Sequence, residues 1–202
     1  MRHYDWLAHY ARSTPNAPCW TDLHSSRSFT FAEANDRVRR LAAHLAKTCG
    51  VEKGDRVATL AMNSTDMLEV HAACAKLGAI FFPLNWRLAA PELDYIVGDG
   101  EPKVVIHDDE TKPLLAGMTA AIPHQIRTDG AGGDSDYETL IAASDGDHPT
   151  PDVDHDDTWL ILYTSGTTGR PKGAPNTFGM AFINAVNLGF ASEITPSSVG
   201  LT

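Results

Sequence analysis

Tyr163-Thr164-Ser165-Gly166-Thr167-Thr168-Gly169-Arg170-Pro171-Lys172-Gly173 continues a short apolar run, Trp159-Leu160-Ile161-Leu162-Tyr163, whose length and composition predict a buried strand. Past the strand, hydroxyls crowd the chain at Thr164, Ser165, Thr167 and Thr168, and Gly166, Gly169 and Gly173 punctuate it. Glycine has no Cβ to block close approach, so such a loop can turn backbone N–H groups and hydroxyls onto an anion. Lys172 adds a point charge on a flexible stem, which suits a phosphate better than a planar carboxylate. Pro171 fixes its own φ and biases Arg170 towards extended geometry, stiffening the approach to Lys172. The residues describe a polyphosphate cradle at the carboxyl end of a strand.

The spacing excludes the commonest alternative. A P-loop needs Gly, four residues, then Gly-Lys-Ser/Thr opening a helix. Here Gly166 is followed by Gly169, and Lys172 by Gly173. A phosphotransferase of that class therefore fails on spacing.

Through all of its positions, Tyr163 to Gly173 resembles the nucleotide-binding signature of the adenylate-forming superfamily, which includes acyl-CoA synthetases, luciferases and the adenylation domains of peptide synthetases. Pro83-Leu84-Asn85-Trp86-Arg87-Leu88, followed by Pro91-Glu92-Leu93, is similar to the acyl-CoA synthetases among them. Physically that second segment is a strand end, a turn and a helix start, and Trp86 and Arg87 read as a structural corner.

The resemblance implies two steps: attack of a carboxylate on the α-phosphate of ATP, then displacement of AMP by a thiol, usually coenzyme A. By position in the motif, Thr164, Ser165, Thr167 and Thr168 would donate hydroxyls, Gly166 and Gly169 backbone N–H groups, and Lys172 would face the terminal phosphates. Thr164 is also the implied contact to Mg²⁺. The expected partners are ATP and a carboxylic, by subfamily fatty, acid. One position departs from the pattern: many members carry His where Phe178 stands, so that residue's role does not carry over.

Family members are more than twice as long, so residues 1–202 are expected to form the N-terminal part of an AMP-binding domain, without the C-terminal domain. The later family motifs and the catalytic lysine are absent, and no His, Ser or Asp constellation replaces them, so no catalytic residue is assigned. Two functions stand: the ATP-binding part of an acyl-CoA synthetase, inactive in isolation, or an inert remnant or nucleotide-binding module. A sheet built to pair with further strands would also expose an edge and self-associate.

Sixteen basic against 26 acidic side chains give a net charge of −10, which disfavours nucleic acid or an anionic membrane as main partner. Cys19, Cys49 and Cys74 have no metal or C-x-x-C spacing and are expected to stay reduced. No run of 18 apolar residues occurs and Met1–Pro18 lacks the pattern of a signal peptide, so a cytoplasmic protein is expected, with no transmembrane segment.

Upstream, the pattern alternates. Helices are predicted over Tyr4–Ser13, from a Thr30/Glu33 capping box to about Thr48, over Asn63–Leu77 with Met67, Val70, Cys74 and Leu77 buried, over Pro91–Val97, Thr111–Ala121 and Tyr137–Ala143. Strands are predicted at 19–21, 28–30, 56–62, 79–83, 103–107 and 124–127. Arg37, Arg39 and Arg40 read as one solvated helix face. Residues 144–157 carry six aspartates and no Lys or Arg, a solvated acidic connector on which His148 and His155 are no metal site. A helix over Asn176–Phe190, with Gly179, Phe182, Val186 and Phe190 on one side, and a strand beginning at Val199–Thr202 complete the pattern. Strands alternating with helices predict an α/β fold, a mostly parallel sheet flanked by helices.

Overall fold

The computed structural model describes residues 2–164, 169–192, 194, 195, 198 and 200. The expected strand at Val199–Thr202 lies outside them apart from Gly200, as does the side chain of Phe190. Helix α1 (Trp6–Ser13) and the antiparallel pair β1 (Pro18–Thr21) and β2 (Ser28–Thr30) lead into α2 (Phe31–Lys47). At the start of α2 the Thr30 side chain accepts from Glu33 N–H, and the Glu33 carboxylate accepts from Thr30 N–H in return. Then follow β3 (Arg56–Leu60), α3 (Thr65–Leu77), β4 (Ile80–Pro83), α4 (Ala90–Gly100), β5 (Val104–His107), α5 (Lys112–Ala116), β6 (His124–Arg127) and α6 (Asp136–Ala143). β7 (Thr158–Thr164), β8 (Lys172–Thr177) and α7 (Phe178–Ala191) end the ordered series.

The main sheet runs β6-β5-β3-β4-β7-β8, parallel throughout except for the antiparallel β7–β8 pair. Strand residues alternate between two cores, as a sheet covered on both faces requires. Val57, Val104 and Ile106 pack with α2, α3 and α6 through Leu41, Val70, Cys74 and Tyr137. Ala58, Leu60 and Val105 pack with Phe82 and with Leu93, Ile96 and Val97 of α4.

Several expectations are corrected. Arg37 is not on a solvated face: its guanidinium bonds Glu69 at 2.6 and 3.1 Å and Glu138 at 2.7 and 2.8 Å. Arg27 reaches Asp66 at 2.7 Å and Glu138 at 3.0 Å, and both guanidinium groups lie over the Phe29 ring. This network ties β2, α2, α3 and α6 together, which helix periodicity alone cannot reveal. The predicted helix over Thr111–Ala121 stops at Ala116 because the Asp94 carboxylate takes the Thr119 and Ala120 N–H groups out of the helical ladder. Met67 is half-buried rather than core.

At the C-terminal end, residues 172–177 form a strand where turn and helix start were expected. Gly173, Pro175 and Asn176 carry no strand signal; pairing with β7 overrides their propensity. Pro175 is tolerated because β8 is the last strand of the sheet. β7 is half-buried rather than buried, with Leu162 41% exposed.

The 144–157 stretch is mostly exposed and irregular, yet anchored. Lys47 pairs with Asp145 and Asp147, Lys53 with Asp157, and Val153 is buried.

Candidate functional site

The glycine- and hydroxyl-rich stretch is the tip of the β7–β8 hairpin. Thr164 pairs with Lys172 in the last rung of the ladder, so the loop leaves and rejoins the sheet at one point. Because β7 runs parallel to β4, this point lies at the carboxyl end of the parallel strands, where open α/β sheets receive their ligands. Of the expected site residues, Thr164, Gly169 and Lys172 are placed, and Ser165, Gly166, Thr167 and Thr168 lie outside the described residues.

Thr164 and Lys172 are exposed, and among the described residues the Lys172 ammonium has no ion pair. Gly169 adopts φ +93°, a conformation side-chain-bearing residues avoid, and none of the described residues stands within 4 Å of where its Cβ would be. It is there for backbone shape rather than for room. Arg170 holds its guanidinium 5.5 Å from the centre of the Tyr95 ring and has no acidic partner among the described residues. Two cations, Arg170 and Lys172, thus flank the second half of the loop with no acidic partner among the described residues.

The base of the hairpin is packed more tightly. The Tyr163 ring lies 5.5 Å from that of Phe82, and a Cβ at Gly173 would come within 3.1 Å of it. The Tyr163 hydroxyl donates to the Asp99 carboxylate. Burial and that carboxylate push the hydroxyl's pKa up, so it remains a proton donor at neutral pH. A cavity of about 230 Å³ opens beside it, lined by Pro83, Leu84, Asn85, Leu88, Ile96 and Leu162. The Asn85–Arg87 corner is self-contained: the Asn85 side chain accepts from Arg87 N–H, and Arg87 stacks on Trp86.

Beyond β8, the Thr177 side chain accepts from Met180 N–H to start α7. Phe178 is buried, 4.4 Å from the His3 ring, and plays a packing role. It borders an apolar cavity of about 400 Å³ between the N-terminal segment, α3 and α7. His3, His71 and His155 face that cavity, and burial holds the His71 imidazole down to about 4, so it is neutral at pH 7. Among the described residues no three His, Cys, Asp or Glu side chains converge as a metal would need.

Sequence reasoning did not foresee Tyr95 and Asp99. Both lie on α4, four residues apart and so on one helix face, a spacing indistinguishable from that of any solvated helix until the hairpin is placed against it.

Comparison with known proteins gives a consistent result. The AMP-binding enzyme family matches residues 7–199. A feruloyl-CoA synthase from an Amycolatopsis species is 39% identical over 183 residues, covering 91% of this chain and 35% of the relative. The long-chain-fatty-acid–CoA ligase FadD13 of Mycobacterium tuberculosis is 38% identical over 179 residues, covering 88% of the chain and 35% of the relative. The chain thus spans about a third of the length of these curated relatives. The crystal structure of ATP-bound MatB from Rhodopseudomonas palustris superposes with a TM-score of 0.79 at 29% identity, over 97% of this chain and 39% of that one.

Proposed function

The chain belongs to the AMP-binding enzyme family, and from that premise we propose that the β7–β8 hairpin tip cradles the phosphates of ATP in an acyl-CoA synthetase. Thr164 to Thr168 supply hydroxyl and amide donors, Gly169 the backbone reversal, and Lys172 the charge facing the terminal phosphates. The observation that carries this reading is the pair of cations, Arg170 and Lys172, with no acidic partner among the described residues, at a glycine-shaped tip on the carboxyl edge of the parallel strands. In the first step a carboxylate oxygen bonds the α-phosphorus while the bond to pyrophosphate breaks. Negative charge builds on the leaving group, and fixed donors and cations around it lower the barrier.

Mg²⁺ fits this site as a companion of the nucleotide rather than as a resident ion. Thr164 offers one exposed hydroxyl, and Mg²⁺ takes its other oxygens from phosphates and water. The second step, thioester formation with coenzyme A, has no residue of this chain assigned to it. The acid class is proposed as fatty, after the FadD13 relative, with an aromatic acid after the feruloyl-CoA synthase as the competing substrate.

The test is a titration with MgATP. Lys172→Ala removes one charge-assisted contact and is expected to weaken binding by about 1.5–3 kcal/mol; equal affinity of the two proteins refutes the placement of Lys172. Pyrophosphate release with fatty and aromatic acids separates a ligase from a module that binds nucleotide without turnover.

A further inference from the structure

Two contacts hold the nucleotide loop from outside, and both come from the same face of one helix. The Tyr163 hydroxyl, one residue before the loop, donates to Asp99 of α4. Arg170, inside the loop, places its guanidinium over the ring of Tyr95, one turn earlier on α4. The Tyr163 ring itself packs 5.5 Å from that of Phe82 and close beside Gly173. We propose that α4 is the clamp of this loop, with Tyr95 and Asp99 as positioning residues that fix its two arms before nucleotide arrives.

The physical case rests on entropy. An arm of the loop left free must be ordered when a ligand binds, at a cost in conformational entropy. Tethering the first arm through Tyr163 and the second through Arg170 removes much of that freedom in advance. Tyr95 and Asp99 themselves touch no phosphate; they act through Arg170 and Tyr163. Gly173 is part of the device, since a Cβ there would stand 3.1 Å from the Tyr163 ring and press it by a few tenths of an ångström. The clamp rests on the reading of the loop as an ATP site, but its mechanical half can be measured without ATP.

The experiment has two readouts on the full 202-residue chain. In the ligand-free protein, amide hydrogen exchange over residues 164–173 is expected to quicken in Tyr163→Phe, Asp99→Ala and Tyr95→Ala, while exchange in the β3–β5 core stays unchanged. Tyr95→Phe keeps the ring under Arg170 and is expected to restore the slow exchange lost in Tyr95→Ala. In MgATP titrations, Tyr163→Phe and Asp99→Ala should each weaken binding about threefold to tenfold, and the double variant no more than either alone, because they share one hydrogen bond. Unchanged exchange in the loop overturns the clamp whatever ATP does. Faster exchange with no ATP binding by the parent chain upholds the clamp and instead refutes the ATP reading. Multiplying losses in the double variant also overturn the clamp, since Tyr163 and Asp99 would then act separately.

Discussion

Replacing Arg37 by Met removes the centre of the buried ionic network while keeping an apolar stem of similar length. Four hydrogen bonds to two carboxylates go with it. The partner that suffers is Glu69, whose side chain is 0% exposed and, among the described residues, is left with the Tyr137 hydroxyl at 2.9 Å. Burial already pushes the Glu69 pKa up in the parent chain, with Arg37 opposing the shift. Without Arg37 the folded state binds a proton at Glu69 that the unfolded state, at neutral pH, does not. Stability therefore falls as pH rises above the unfolded value. Each pH unit between the unfolded value of about 4.3 and the raised folded value costs about 1.36 kcal/mol, so the loss on removing Arg37 is larger at pH 7 than at pH 5. Breaking a buried pair by removing one partner costs about 3–5 kcal/mol, the size of loss expected at pH 7. Urea unfolding at the two pH values measures it. Adding Glu69→Gln to Arg37→Met should recover most of the pH 7 loss, because no charge is then left buried. An equal loss at pH 5 and pH 7, or a double variant no better than the single, would refute the reasoning.

Burial depresses the His71 pKa to about 4 against about 6.5 unfolded, so its contribution is complete above pH 6.5 and drains as pH falls towards 4, by up to about 3.4 kcal/mol. An NMR titration of the His71 ring should show no protonation at pH 6; an apparent pKa near 6.5 contradicts the burial. The outer face of α7 shows Met180, Ile183 and Leu188 more than half exposed beside the open edge of β8, and self-association through this region is expected. Light scattering should find oligomers that Met180→Lys with Ile183→Lys shifts to monomer; an unchanged size distribution sinks the idea.

Much of the fold was legible because the signals were local. The Thr30–Glu33 capping box, the αL glycine closing α3 at Gly78 (φ +62°) and the alternation of Val57, Ala58, Val104 and Val105 between two cores are each written within a few residues. What escaped depends on partners distant in sequence. Arg37 meets Glu138 across 101 positions, and nothing in the α2 pattern separates it from Arg39, which remains at the surface beside Asp36. β8 exists only because β7 lies beside it. The site divides the same way: the motif from Tyr163 to Gly173 identified the loop, whereas Tyr95 and Asp99, which hold it, sit in an unremarkable stretch of α4.

The most direct measurement follows the backbone amides of the loop by NMR as MgATP is added. The account predicts large, saturable shifts confined to Thr164–Lys172 and the adjoining face of α4, with Lys172→Ala needing more nucleotide to reach them. Shifts centred elsewhere in the chain, with the Gly166 and Gly169 amides unmoved, would contradict it.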